Sequence, residues 1–319
     1  MSVTKRAEER HGFRREIFSF DSARAAIQAY LADSGVGSGD PVLLPSYVGW
    51  TARQGSGVHD PVLARGARAC FYRIREDLSV DLDFFEEALR RHRPKVVILI
   101  HYFGFPDVNL PALVQLAGQH SARVIEDEAH AFLSDWIGGI CGRFGDAAVV
   151  SLHKLLPVDS GGLLVLNAGS PERLGGLSSL AAPPTDPIWG YDLSRIALRR
   201  RANAALLLRE LAAWEGLLDP LFPALPEGVV PQSLPVTVPL GTRDDLYHEA
   251  NARGFGVVSL YHTLVDRVDP ARFPEAYRLS RRILNLPVHQ DAEPEQLRDL
   301  VTSVGGMTRH LSRGAVAGA

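Results

Sequence analysis

The chain has 319 residues, a length that predicts about two domains and allows a large buried core. Its hydrophobic fraction of 46% and charged fraction of 22% are those of an ordinary globular protein and exclude disordered or collagen-like chains. A formal net charge of −3 argues against a protein that coats nucleic acid, so no nucleic-acid partner is expected.

The two ends of the chain and its two cysteines indicate where the protein works. Residues 1–15 are charged and lack the apolar core of a secretory signal, and no segment reaches about 18 uninterrupted apolar residues. Cys70 and Cys141 have neither the spacing of a disulfide framework nor that of a structural zinc site. We therefore predict a cytoplasmic protein with no membrane contact and no metal, a flexible leader over 1–15 and a frayed end over 312–319.

Helical and strand-like segments alternate from residue 22 to about residue 170. Apolar residues recur at helical spacing and predict helices over 22–31, 82–89 and 110–117. Short runs that are apolar throughout predict strands over 41–44, 96–100, 123–125, 147–150 and 163–166. Such strands favour an α/β fold, with a mostly parallel central sheet and helices on both faces.

The second half of the chain has a different pattern. Residues 171–185 are rich in glycine and proline, and a long charged helix is predicted over 193–214. Beyond it, a strand is predicted over 234–238 and helices over 244–252, 274–283 and 293–304. This smaller α+β set predicts a large domain of residues 1–215 and a small C-terminal domain of residues 216–319.

Polar residues follow two of the predicted strands, where open α/β sheets bind their ligands. One strand leads into Glu126 and Asp127, and another leads into Ser151-Leu-His-Lys154. A lysine directly after a buried strand loses hydration, which lowers its pKa and makes the amine nucleophilic toward an aldehyde. A simple ion pair at the sheet edge explains the acid and the lysine equally well.

Motifs in a fixed order connect this edge to a known family. From Val124 to Asn167 the order is strand, Glu-Asp-x-Ala-His, Gly-Asp, strand, Ser-Leu-His, Lys, then Gly-Gly and another strand. Further motifs are Gly39-Asp-Pro-Val-Leu-Leu-Pro-Ser46, His101-Tyr-Phe-Gly104 and the segment from Phe273 to His289. Together they resemble the DegT/DnrJ/StrS aminotransferases, pyridoxal-phosphate enzymes of fold type I that are best known for aminating keto-sugars. The resemblance runs from about Phe18 to Val304.

The resemblance implies chemical roles for three residues. Lys154 would form the internal aldimine, a Schiff base with pyridoxal 5'-phosphate, and then act as the base that moves the 1,3-proton. Asp127 would keep the pyridine nitrogen protonated, so that the ring can accept electrons. His130 would lie near the ring and its phenolic oxygen; a core histidine bonded to the backbone is the alternative.

The resemblance also implies binding roles. Ser22 and Ala23, at the start of the first long helix, and Ser151 match phosphate-binding positions, although Ser151 precedes the lysine by three residues where the family commonly has five. The family's ring-stacking aromatic corresponds to Tyr47 or Trp50, and the sequence does not choose between them.

Two parts of the chain are weaker matches. Tyr261 and His262 stand near the family's substrate-side segment, but a buried packing pair explains them as well. Gly190-Tyr191-Asp192-Leu-Ser-Arg195 only partly matches the family's Gly-Tyr-Asn-x-Arg, which reaches the partner's cofactor across a dimer. Residues 171–201 are also contracted relative to the family. Whether this segment contributes to the partner's active site is therefore open. The contraction also argues mildly against a standard nucleotide-sugar site.

The function implied by the resemblance is amino transfer in a homodimer. The donor would be an amino acid, glutamate or glutamine, and the acceptor a keto or aldehyde compound such as a sugar, a cyclitol or a secondary-metabolite precursor. Two alternatives remain: elimination, decarboxylation or cyclisation with the same cofactor, or a non-catalytic regulatory protein that binds pyridoxal phosphate. The joint presence of Lys154, Asp127 and Ser151 argues against the second alternative.

Overall fold

The computed structural model describes residues 15–167 and 188–317 and contains two β-sheets with flanking helices. The strands are β1 Glu16–Phe20, β2 Pro41–Pro45, β3 Arg68–Tyr72, β4 Val96–Ile100, β5 Arg123–Asp127, β6 Ala147–Ser151, β7 Gly162–Leu166, β8 Asp219–Pro220, β9 Ser233–Thr237 and β10 Ile283–Pro287. The helices are α1 Ala23–Asp33, α2 His59–Ala64, α3 Leu82–His92, α4 Leu110–Gln119, α5 Phe132–Trp136, α6 Leu193–Leu211, α7 Arg243–Ala252, α8 Pro274–Ser280 and α9 Pro294–Ala317.

The larger sheet has seven strands in the order β1-β7-β6-β5-β4-β2-β3. Strands β2 to β6 are all parallel, whereas β7 runs antiparallel to both of its neighbours, β6 and β1. Each parallel pair requires a crossover connection. The mostly parallel α/β fold predicted from the apolar runs is therefore confirmed.

Both faces of this sheet are covered, which explains why its central strands are apolar throughout. In β6, Ala147 and Val149 face one core, to which α1 contributes Ile27, while Ala148 and Val150 face a second core with Phe132 of α5. Successive strand residues point to opposite faces, so two covered faces leave no position for a polar residue. Polar side chains are consequently found where the strands end.

The smaller sheet is antiparallel, in the order β10-β9-β8, and packs against α6, α7 and α9. Residues 274–283 were expected to form one helix, but α8 ends at Ser280 and Ile283 begins β10, which pairs with β9 from Ile283 to Pro287. Hydrogen bonding between β10 and β9 therefore determines the conformation at Ile283, although the apolar spacing before it is helical. The last helix, α9, continues to Ala317, so most of the segment expected to fray is helical.

Some expectations fall outside the described residues. These include the leader except Arg15, the glycine- and proline-rich residues 171–185, and residues 318–319. Across 15–167 and 188–317, no helix combines the length and the apolar composition needed to cross a membrane.

Candidate active site

A lysine and a histidine meet at the carboxyl end of β6. Lys154 lies in the short helical turn after this strand, and its Nζ is 3.0 Å from Nε2 of His130. The other ring nitrogen of His130, Nδ1, accepts a 3.4 Å hydrogen bond from the backbone N–H of Phe103. We assign the proton of the neutral ring to Nε2 on this basis, so Nε2–H donates to the lone pair of Nζ. That arrangement requires a neutral amine.

The electrostatic environment favours the same protonation states. Loss of hydration on burial lowers the pKa of Lys154, and the negative charge of Asp127 only partly opposes this effect. Burial, together with the positive charge of Lys154, also holds the pKa of His130 well below its usual range. A neutral amine is a nucleophile and a base, whereas an ammonium group is neither.

Asp127 is the last residue of β5 and is buried. Its Oδ1 accepts a 2.9 Å hydrogen bond from the backbone N–H of Ala129, whereas Oδ2 has no hydrogen-bond partner in the described ranges. Burial raises the pKa of Asp127, against the opposing effects of the Ala129 N–H and the positive charge of Lys154. A bound group with a cationic N–H would therefore be stabilised at Oδ2.

Gly162 allows the N-terminus of α1 to approach the end of β6. In the sheet register Gly162 lies opposite Ser151. A Cβ atom at residue 162 would lie 2.2 Å from the carbonyl carbon of Ser22 and 2.3 Å from the nitrogen of Ala23. Only glycine permits this approach, which places the start of α1 beside the strand that ends in Ser151.

The start of α1 has unused hydrogen-bond donors. Ser22 is the N-cap of α1, and its Oγ accepts a 3.2 Å hydrogen bond from the N–H of Ala25. The N–H groups of Ala23 and Arg24 have no partner within the described chain, as is usual for the first helical turn. Ser151 Oγ lies 3.3 Å from Nδ1 of His153. Free amides at a helix N-terminus beside a serine hydroxyl are suited to a phosphate group.

Gly162→Ala is expected to lower the free energy of unfolding by about 1–3 kcal/mol, because the added Cβ has no space against the backbone of residues 22 and 23. Gly118→Ala, in α4, is the matched control, since a Cβ there meets nothing within 4 Å. Helix propensity predicts that the control is unchanged or stabilised by up to about 1 kcal/mol. Urea unfolding followed by circular dichroism measures both variants. A Gly162→Ala protein as stable as Gly118→Ala would contradict the close approach.

Tyr261 is the centre of an aromatic cluster beside the lysine and the histidine. Its ring centroid is 5.2 Å from that of Tyr47, 5.7 Å from that of Tyr102, 6.2 Å from that of Phe103 and 6.1 Å from that of His130. Burial and the negative charge of Asp127 raise the pKa of Tyr261. The cluster therefore adjoins both the lysine and the acid.

Burial distinguishes Tyr47 from Trp50, the two candidates for the ring-stacking aromatic. It also distinguishes Tyr261 from His262, the two candidates for substrate contact. Tyr47 is fully buried in the cluster, whereas Trp50 is 42% exposed. Tyr261 is half-buried, whereas His262 is exposed and donates from Nδ1 to the carbonyl oxygen of Ser259 at 2.7 Å. Tyr47 and Tyr261 thus contact each other near the lysine, while Trp50 and His262 extend toward solvent.

Phe103 is a site residue that sequence reasoning did not single out. Its ring stacks on that of His130, with centroids 5.7 Å apart and planes 14° apart, and its N–H donates to the same histidine. Phe103 and Tyr261 both have a φ of 58°, a strained value for a bulky residue. The motif His101-Tyr-Phe-Gly104 was the available signal, although it did not indicate a contact with His130.

Asp192 has a local structural role. Its Oδ1 accepts a 2.9 Å hydrogen bond from the N–H of Arg195, so it is the N-cap of α6. The hydroxyl of the preceding Tyr191 donates to the carbonyl oxygen of Pro157 at 3.5 Å. Helix capping accounts for an aspartate at the position where asparagine was expected.

Comparison with known proteins gives a family match over most of the chain. The sequence profile of the DegT/DnrJ/EryC1/StrS aminotransferase family matches residues 5–173 and 191–305. These ranges include every site residue described above, and the gap between them falls within the contracted segment.

Individual relatives are more distant. The chain is 27% identical to UDP-N-acetyl-3-dehydro-alpha-D-glucosamine 3-aminotransferase of Acidithiobacillus ferrooxidans, covering 84% of this chain and 78% of that protein. It is 26% identical to dTDP-3-amino-3,4,6-trideoxy-alpha-D-glucose transaminase of Streptomyces venezuelae, covering 87% and 79%. Among solved structures, a putative sugar aminotransferase from Streptococcus pneumoniae in its PMP form has a TM-score of 0.78 at 18% identity, covering 94% of this chain and 87% of that one. The structural likeness supports the fold.

Proposed function

The chain belongs to the DegT/DnrJ/EryC1/StrS aminotransferase family, and on that premise we propose that it transfers an amino group from glutamate or glutamine to the keto carbon of a nucleotide-linked sugar. The names of the two curated relatives describe amino transfer on a UDP-linked and a dTDP-linked sugar, which supports this acceptor class. The observation that carries the proposal is the 3.0 Å contact between Lys154 Nζ and His130 Nε2, because it keeps a neutral amine beside a buried acid.

Pyridoxal 5'-phosphate is the cofactor that the family implies, and the chemistry of the site fits it. The site offers a neutral amine at Lys154, together with a carboxylate oxygen of Asp127 and amides at the start of α1 that have no partner within the described residues. When bound, the cofactor supplies an aldehyde that combines with amines and a pyridinium ring that takes up electrons.

We assign the chain's contacts with the cofactor as follows. Lys154 would bind the aldehyde carbon, and Asp127 would accept a hydrogen bond from the ring nitrogen. His130 and Tyr47 would lie beside the ring, a placement that their burial supports. The phosphate would be bound by the residues around Gly162, namely Ser22, Ala23 and Ser151.

Lys154 also moves the proton that the exchange of amines requires. In the first half of the exchange a neutral Nζ can take the proton from the α-carbon of the donor, and in the second half a protonated Nζ can give a proton to the former keto carbon of the acceptor. Nε2–H of His130 orients the lone pair of Nζ, so His130 acts through the lysine as well as beside the ring. The buried rings of Tyr47, Tyr102 and Phe103 exclude water from this side of the site.

We further propose that the substrate is contacted by Tyr261, and less directly by the exposed His262. The family resemblance supports a homodimer, for which analytical ultracentrifugation should give twice the chain mass of 34.8 kDa. A sedimenting species of one chain mass would contradict it. The free thiols of Cys70 and Cys141 support a reducing compartment, which we propose is the cytoplasm.

An assay in the reverse direction tests the proposed function without unstable keto-sugars. The protein is incubated with 2-oxoglutarate and a panel of UDP- and dTDP-linked 3-amino and 4-amino sugars. We expect glutamate and the corresponding keto-sugar nucleotide, identified by mass spectrometry. No exchange with any amino sugar, combined with loss of carbon dioxide or elimination from an amino acid, would support the alternative reactions instead.

Attachment of the cofactor to the protein freed of it is expected to depend on pH through Lys154. Only the neutral amine reacts, and its fraction rises as the pH passes above the pKa of the lysine. Because burial lowers that pKa, attachment should reach its maximum at a lower pH than with Nα-acetyl-lysine, whose free side-chain amine serves as the reference. Borohydride trapping at a series of pH values, followed by mass spectrometry, gives the profile. Coincidence with the reference amine would contradict the lowered pKa.

A further inference from the structure

A second cluster of buried polar groups lies on the other face of β5. Glu126 and Asp127 are consecutive strand residues, so their side chains point to opposite faces of the sheet. Glu126 accepts a 2.8 Å hydrogen bond from Nε2 of His101 and three more, of 2.6–2.8 Å, from the backbone N–H groups of residues 142, 144 and 145. The ring proton of neutral His101 is therefore on Nε2, and Nδ1 presents a lone pair.

Three atoms beside Glu126 have no nitrogen or oxygen hydrogen-bond partner in the described residues. They are Nδ1 of His101 and both carboxylate oxygens of Glu128. His101 is 1% exposed, and Glu128 and Cys141 are both 0% exposed. One atom from each of these side chains, a ring nitrogen, a carboxylate oxygen and Sγ of Cys141, lies within 4.8 Å of the other two. The carboxyl group of Glu128 has only the weak thiol of Cys141 as a hydrogen-bond partner, and a buried polar group without strong hydrogen bonds is costly.

The nearby arginines are already occupied. Asp135 Oδ2 lies 2.5 Å from Arg15 Nη1, and Asp135 Oδ1 lies 2.9 Å from Arg143 Nε. Both guanidinium groups are therefore held by Asp135, and within the described residues neither forms an ion pair with Glu126 or Glu128.

The kinds of ligand atom indicate which ion would fit. The ligand atoms would be an imidazole nitrogen, a carboxylate oxygen and a thiolate sulfur, the combination that suits zinc.

We propose that His101, Glu128 and Cys141 bind a structural zinc ion. Ligand atoms around a tetrahedral zinc are roughly 3.5 Å apart, so small shifts of these side chains close the site. Glu126 supports His101 in the way that a carboxylate commonly supports a zinc-bound histidine. Cys141 releases its proton to solvent on binding, and a water molecule fills the fourth position.

The proposed site has a structural purpose. His101 follows β4, Glu128 follows β5, and Cys141 lies in the loop before β6, so the ion would link three segments of one sheet edge. Glu128 is two residues before His130, so an ion bound to Glu128 would also restrain the position of His130. The spacing of the cysteines gave no sign of this site, because the three ligands are brought together only by the fold.

Metal analysis of the full-length protein tests the proposal. Wild type, Cys141→Ser, Glu128→Gln and Cys70→Ser are produced in zinc-supplemented medium and analysed by inductively coupled plasma mass spectrometry. We expect about one zinc per chain in wild type and in Cys70→Ser, the matched control with another buried thiol. The zinc content of Cys141→Ser and of Glu128→Gln should be lower by about tenfold or more. Equal zinc loss in Cys70→Ser would overturn the assignment.

Measurements on wild type decide the matter even if the variants do not fold. The protein is unfolded with a chelator and refolded with zinc or without any metal. Refolding with zinc should restore one ion per chain and raise the melting temperature, and refolding with cobalt should give a thiolate-to-metal absorption band. Less than about 0.1 metal per chain, with no effect of zinc on melting, would overturn the proposal. Cofactor linked to Lys154 is measured separately, so this result leaves the aminotransferase assignment unaffected.

Discussion

Replacing Lys154 with alanine is expected to abolish covalent attachment of the cofactor and to lower the rate of amino transfer by about 10³-fold or more. Among the described residues, no other amine lies at the site to take this role. The chain contains three lysines, Lys5, Lys95 and Lys154. Lys95 is exposed and donates to Asp40 at 2.8 Å. It precedes β4, so it lies at the amino ends of the parallel strands, opposite the carboxyl end of β6 that leads into Lys154.

Borohydride trapping makes this prediction specific. After reduction and proteolysis, the mass of the cofactor should be found on the peptide that contains Lys154 and be absent from the Lys154→Ala protein. Lys95→Ala is the matched control, because it removes a lysine whose ammonium group is already in solvent, and it should keep wild-type labelling and turnover. Turnover by Lys154→Ala within tenfold of wild type, or a label on Lys95, would disprove the assignment.

The strands of the sheet interior could be predicted because both of their faces are buried. Every residue of β4 is buried, and the predicted range 96–100 is the observed one. In the larger sheet, the strands that were missed are β1 and β3, which lie at its two edges and contain exposed residues, Glu16 and Arg68. The polar residues in β1 and β3 interrupt the apolar run that predicts a strand. Their conformation depends on pairing with a neighbouring strand, which a local sequence pattern does not include.

The candidate site was predictable only to the extent that it follows from strand ends. Asp127 and Lys154 could be expected at one edge because parallel strands end together. The contact of His130 with Lys154 and the central place of Tyr261 could not, because they depend on loop conformations such as the positive φ of Tyr261. The sequence also gave no means of ranking Tyr47 above Trp50, since burial in the aromatic cluster is a tertiary property.

Asp127→Asn is expected to retain the cofactor and lose activity, lowering kcat by about 10²–10³-fold. The asparagine oxygen can still accept the N–H of Ala129, so the end of β5 should keep its conformation. Lys154 and the residues proposed to bind the phosphate are unchanged, so binding should persist. A neutral amide, however, cannot hold a proton on the ring nitrogen as a carboxylate does, so the variant weakens the electron uptake on which the rate depends.

Asp107→Asn is the matched control for this prediction. Asp107 is also an aspartate near the sheet edge that accepts hydrogen bonds from backbone N–H groups, those of Val80 and Asn109, at 2.6 and 2.7 Å. A purely structural role for Asp127 would make both variants lose stability and cofactor content together, with kcat per bound cofactor unchanged. We expect that outcome for Asp107→Asn alone. Measuring kcat, KM and trapped cofactor for both proteins distinguishes a catalytic role of Asp127 from a structural one. A wild-type kcat in Asp127→Asn would show that Asp127 takes no part in the reaction.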